Sequence, residues 1–100
     1  MVIVLEVIDK TGRAIHLSKE RLTHIQKHPH MHNQLENIRW TLMQPTIIRC
    51  VESDKSVRQY YKEFKERHYA ERYLFVAVKY LNGKGFIITA FFTNRITGLK

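Results

Sequence analysis

A β-branched, apolar run over residues 2–8 opens the chain and a short strand pattern returns over 14–17, the two separated by Asp9-Lys10-Thr11-Gly12. Such runs on either side of turn chemistry predict an N-terminal β-hairpin. The spacing then becomes helical. Ser18 is placed to cap a helix with Glu20 in its first turn, Leu22 and Ile25 form its apolar stripe, and Pro29 ends it. Asn33 and Glu36 have capping-box spacing and open a second helix, in which Leu35, Ile38 and Leu42 point inward before Pro45. From Thr46 onward the alternation is that of strands, over 46–51, 57–64, 72–80 and 86–92, with Asn82-Gly83-Lys84-Gly85 as a tight hairpin between the last two.

Short connections imply antiparallel pairing of successive strands. The expected fold is therefore α+β, one domain over residues 1–100. An N-terminal β-hairpin and two short helices pack on one face of a four-stranded curved antiparallel sheet. Leu74, Val76, Val78 and Tyr80 with Phe86, Ile88, Ala90 and Phe92 make the apolar face under the helices. The opposite face mixes Tyr73, Phe75, Ala77 and Lys79 with Ile87, Thr89, Phe91 and Thr93, and alternation adds Arg58, Tyr60 and Lys62 to it. A face of cations, rings and hydroxyls suits RNA, whose bases stack while its phosphates take Arg and Lys. It equally suits an ordinary solvent face with cross-strand pairs.

Charge sharpens this picture. Seventeen Lys and Arg stand against nine Asp and Glu, a net charge of +8. The excess is spread over both halves, seven basic against four acidic residues in 1–50 and ten against five in 51–100. A basic body favours polyanions: nucleic acid or an acidic protein partner. A lone Cys50, the lack of a leader-like segment and an opening apolar run too short for a membrane span point to a cytoplasmic protein with no membrane contact. Cys50, in a strand pattern without activating neighbours, reads as a packed thiol. Trp40 and Met43 fall off the inward stripe of the second helix and are candidates for contact with a partner or a second copy of the chain.

Residues 21–30 carry the strongest chemical signal. His24 and His28 lie four apart with Arg21 on the same side, at the rim of the Leu22 and Ile25 stripe. Imidazoles at such a rim can titrate near neutrality and still meet a ligand, the setting of acid-base catalysis. Ordinary half-buried packing is the competing reading for His24, and for His16, His30, His32 and His68. The four-residue spacing is also competent for zinc. Yet no His-Glu-x-x-His motif or Cys pair accompanies it, and Pro29 turns His30 and His32 away, so the site is expected to use neither metal nor cofactor.

These residues fall in a familiar order: Gly12-Arg13-x-Ile15-x-Leu17-Ser18-x-Glu20-Arg21-x-x-His24-Ile25-x-x-x-His28-Pro29, then Leu42-x-x-Pro45, Arg58-x-Tyr60-Tyr61 and Thr89-Ala90-x-x-Thr93. Over about residues 7–93 the chain resembles the small phage- and bacterium-associated nuclease-like domains grouped with barnase, EndoU, the colicin tRNases and RelE toxins. The resemblance implies a barnase/RelE-like sheet and metal-independent endoribonuclease activity, as in toxin-antitoxin or phage-conflict systems. The runner-up is a non-catalytic RNA- or protein-binding module on the same scaffold. Carried residue by residue, the resemblance implies His24, His28, Arg58, Tyr60 and Thr89 as catalytic, with Lys79 and Thr93 holding substrate; Arg21 on the helix rim and Lys62 on the mixed sheet face are expected to hold substrate beside them. The implied partners are RNA, an acidic antitoxin or inhibitor protein, and a homodimer contact. Where such domains carry an acidic residue soon after the His-Pro pair, this chain has His30.

Overall fold

The computed structural model, described over residues 1–96, contains strands β1 (Ile3–Ile8), β2 (Ala14–Ser18), β3 (Ile47–Val51), β4 (Asp54–Glu63), β5 (Tyr73–Leu81) and β6 (Lys84–Thr93). Helices α1 (Lys19–Ile25) and α2 (Leu35–Met43) lie between β2 and β3. The strands form one sheet in the order β1-β2-β6-β5-β4-β3. β2 runs parallel to β6 through Ile15–Gly85 and His16–Phe86, and the other neighbours are antiparallel.

The α+β class stands, but the expected four-stranded antiparallel sheet is overturned. The hairpin is not a separate layer; it extends a six-stranded mixed sheet. Local connections report only sequential pairing, whereas β2 meets β6 through two residue pairs from opposite ends of the chain. Gly85 sits at that junction. A Cβ there would lie 2.9 Å from Val78 Cγ1 and 3.1 Å from the Tyr80 ring, so close packing requires glycine. The β5–β6 turn is the tight one expected, with Asn82 at φ 56° and Gly83 at φ 80°, the two positive angles of a type I′ hairpin.

Ser18 caps α1, its Oγ accepting from the Arg21 amide at 3.2 Å. The helix stops at Ile25, earlier than Pro29, because the Lys27 and His28 amides turn to the carbonyls of His24 and Ile25, three residues back. His28 therefore stands in a tightened turn. The capping box on α2 is also overturned: Gln34 is the cap position without a side-chain cap bond, and Asn33 takes φ 61° instead.

Leu17, Ile25, Ile38, Leu42, Leu74 and Val76 are fully buried between helices and sheet. On the far face Tyr61, Phe75 and Ala77 form a second cluster, with Ile88, Phe91 and Ile96 against it. Register corrects the expected division of faces. Arg58, Tyr60 and Lys62 pair with Val78, Val76 and Leu74, so they join the helix side while Tyr61 joins the far face. A bulge opposite Ala77 and Val78 pairs Thr89 with Ala77 but Ile87 with Val78, turning Ile87 into the core and Ile88 out of it. The extra residue breaks the two-residue period on which the division rested. Cys50 is exposed, not packed; it lies beyond Ile48, which does pack on the main core, on the edge strand β3.

Candidate active site at the edge of β6

Past its short pairing with β2, β6 is flanked by α1 and the turn that follows it. Arg21 Nη1 donates to the Ile88 carbonyl at 3.5 Å. One residue on, Thr89 Oγ1 lies 3.4 Å from His28 Nε2. The rings of His24 and His28 meet edge-on, 5.9 Å between centroids, and His28 also lies 5.2 Å from the Phe91 ring. Arg21, His24, His28 and Thr89 thus come together on two elements far apart in sequence. His24 is exposed and His28 half-buried, so the pair has one wet and one partly dry imidazole. Thr93 lies farther along β6, its hydroxyl donating to the Arg95 carbonyl at 3.3 Å.

The other candidates lie elsewhere. Tyr60 is fully buried. Its hydroxyl donates to Asp9 Oδ2 at 3.0 Å and lies 2.6 Å from the Tyr80 hydroxyl, which also donates to Asp9. The Asp9 carboxylate takes further bonds from the Thr11 amide and hydroxyl and the Arg13 amide. Burial pushes Asp9 up, but the hydrogen bonds from Thr11, Tyr80, Arg13 and Tyr60 outweigh it and leave the carboxyl below its ordinary value. Burial, reinforced by Asp9 and opposed by Tyr80, pushes Tyr60 up to about 12. Burial and the bond to Asp9 move Tyr80 the same way. This network ties the first hairpin to β4 and β5. It is a folding element, and it keeps Tyr60 from the histidines.

Arg58 donates to the carbonyls of Lys55 and Val57 on its own strand. Lys62 Nζ donates to the Gln44 carbonyl at 2.7 Å and sits 4.2 Å from the Trp40 ring centre. Lys79 is on the same face as Thr89 but ion-paired to Asp54 at 3.1 Å. Of the rings expected to stack on bases, Tyr60 and Phe75 are 0% and 7% exposed and serve packing, whereas Tyr73 and Phe91 stay half-buried. Trp40 and Met43 are each 46% exposed on α2.

Beside His28 the edge opens into a cleft of about 430 Å³ lined by His28, Pro29, His30, Ala70, Glu71, Phe91 and Phe92. His30 Nε2 meets Glu71 Oε2 at 3.0 Å, and Arg67 Nη2 meets Glu71 Oε1 at 2.5 Å. Glu71 went unnoticed in the sequence because it comes from a single 3-10 turn, Tyr69–Glu71, inside a charged stretch without periodicity. The only pointer was indirect: a missing acid after His28-Pro29, with His30 in its place. Here Glu71 brings a carboxylate to that spot from a distant segment. On the other side of Arg21 a hollow of about 320 Å³ is lined by His16, Ser18 and Phe86 among others.

Among the described residues no three His, Cys, Asp or Glu side chains are grouped to hold a metal ion. No helix among them is long and apolar enough to cross a membrane. What the edge of β6 offers is a hydroxyl against one imidazole, a second imidazole edge-on to the first and a guanidinium on the neighbouring carbonyl, a set able to move protons at an anionic centre. Neither a curated protein nor a solved structure matches the chain. A family model described as phage-Barnase-EndoU-ColicinE5/D-RelE like nuclease 2 does match, over residues 5–100, and the chain belongs to that nuclease-like family.

Proposed function

We propose that the protein is a metal-independent endoribonuclease, a toxin of the toxin-antitoxin or phage-conflict kind, that cleaves RNA through the substrate's own 2′-hydroxyl. The observation that carries the reading is the meeting of His28 with Thr89 beside His24 and Arg21. In this reaction His24 takes the proton from the 2′-hydroxyl, and the oxygen attacks the adjacent phosphorus. The bond from phosphorus to the 5′-oxygen breaks, and His28 supplies that oxygen's proton. Arg21 offsets the charge that grows on the phosphoryl oxygens, and Thr89 steadies the His28 ring or donates to the same centre.

The products are a 2′,3′-cyclic phosphate and a free 5′-hydroxyl. Cleavage therefore depends on the 2′-hydroxyl and persists in chelator. The test is incubation of the purified protein with RNA and with the 2′-deoxy counterpart, in chelator, with end-group analysis of the fragments. Cyclic ends on RNA alone support the reaction. Intact RNA from a folded protein leaves the runner-up, a non-catalytic binding module. An acidic inhibitor protein, or a second copy of the chain over Trp40 and Met43, belongs to the same proposal, supported by the +8 charge and the exposure of that helix face.

A further inference from the structure

We infer that the cleft beside His28 is a nucleobase pocket, and that Glu71 makes it prefer bases carrying an exocyclic amine over uracil. This rests on the proposed placement of a phosphate among Arg21, His24, His28 and Thr89. Strand rise is about 3.3 Å per residue, so Phe91 and Phe92 lie roughly 7 and 10 Å along β6 from Thr89. A base attached to a nucleotide whose phosphate sits at Thr89 reaches that far. The cleft begins there, bounded by His28 on the phosphate side.

Its walls fit a base. Phe91 presents a half-buried ring, already in contact with His28. The polar wall is Glu71, whose side chain is only 17% exposed and is gripped from behind. Arg67 Nε and Nη2 both donate to Oε1, while His30 meets Oε2. The Arg67 guanidinium is in turn packed 4.0 Å from the Phe92 ring centre. Oε1 thus has two donors and Oε2 one, which leaves an acceptor position on Oε2. An ionised carboxylate can only accept. Adenine, cytosine and guanine each offer an amino donor, whereas uracil sets a carbonyl oxygen where cytosine has its amine. Adenine, cytosine and guanine gain a charge-assisted bond from their amino group to Glu71; the one base N–H of uracil, at N3, lies between two carbonyl oxygens that the carboxylate repels.

The test is calorimetric titration of the whole protein with the 3′-monophosphates of adenosine, cytidine, guanosine and uridine. The amino-bearing nucleotides should bind at least about tenfold more tightly than the uridine nucleotide, the worth of one hydrogen bond to a charged group. In Glu71→Gln, whose amide can both donate and accept, that gap should close to about threefold or less. Phe91→Leu, which keeps the carboxylate, should weaken all four while preserving their order. Equal affinities in the wild type, no saturable binding, or an unchanged gap in Glu71→Gln overturns the pocket. Failure here is distinguishable from failure of the proposed reaction. A protein that cuts RNA but binds the four nucleotides alike loses only the pocket. One that shows the preference and leaves RNA intact loses only the chemistry.

Discussion

His28 Nε2 stands 3.4 Å from Thr89 Oγ1 across 61 positions of sequence. Their meeting joins a turn after α1 to the middle of β6. If this contact holds the His28 ring for proton transfer, Thr89→Val should slow RNA cleavage about tenfold, and His28→Ala by about a hundredfold to ten-thousandfold. The pair should be non-additive: in the His28→Ala background the valine should cost little more. Single-turnover rates of the four proteins give the cycle. Full additivity would mean that Thr89 acts apart from His28.

Tyr60 gives the opposite expectation. Its hydroxyl is buried and bonded to Asp9 and Tyr80, so Tyr60→Phe should lower stability by about 1.5–3 kcal/mol while leaving the rate of RNA cleavage within about twofold. Denaturant unfolding and initial rates on the same sample decide it. A rate that collapses without a loss of stability would restore Tyr60 to the reacting centre.

The division between what was legible and what was not follows the range of the interactions. Ser18 as a cap, the Asn82-Gly83 turn and the apolar stripe through Ile38 and Leu42 are local features, and each appears where the pattern set it. So are Arg21, His24 and His28 as neighbours, since three- and four-residue spacings bring side chains together in one turn of chain. The β2–β6 pairing, the bulge at Ile88 and the face of β4 depend on strands meeting at a distance. Adjacent Tyr60 and Tyr61 made β4 ambiguous, because alternation reads equally well in either register when both positions are aromatic. That single ambiguity moved Arg58, Tyr60 and Lys62 to the wrong face. Glu71 was invisible for a similar reason: only the folded chain carries it to His30.

The same buried network sets a pH window for stability. Asp9 is lowered in the folded protein, so its contribution is present above the ordinary carboxylate value of 3.8 and is lost as pH falls through the lowered folded value. Tyr60 is raised from 10.0 to about 12, so its contribution is present below pH 10 and is lost as pH rises from there to about 12, where the unfolded chain ionises first. Urea midpoints measured against pH should fall at both ends. Tyr60→Phe should flatten the alkaline fall and Asp9→Asn the acid one. A midpoint unchanged from pH 9 to 12 in the wild type would contradict the alkaline assignment.

Two arginines separate the edge of β6 from the rest of the basic surface. Arg21 donates to Ile88 beside Thr89, whereas Arg58 is turned to the carbonyls of Lys55 and Val57 on the helix side of the sheet. Charge stabilisation at a reacting phosphoryl group is strongest from a donor held next to it and falls off with distance and solvent. Arg21→Ala should therefore cut the cleavage rate by a hundredfold or more, and Arg58→Ala should leave it within about threefold. Binding should respond differently from catalysis. RNA affinity should fall with salt by a log-log slope of about −0.7 for each phosphate neutralised on a single strand, and Arg21→Ala should reduce that slope by about one such step. Measuring both quantities for both variants separates a local catalytic cation from a diffuse attractive field. If Arg58→Ala were the more damaging to cleavage, or if the two variants were equal, the reacting phosphate would not lie at Thr89.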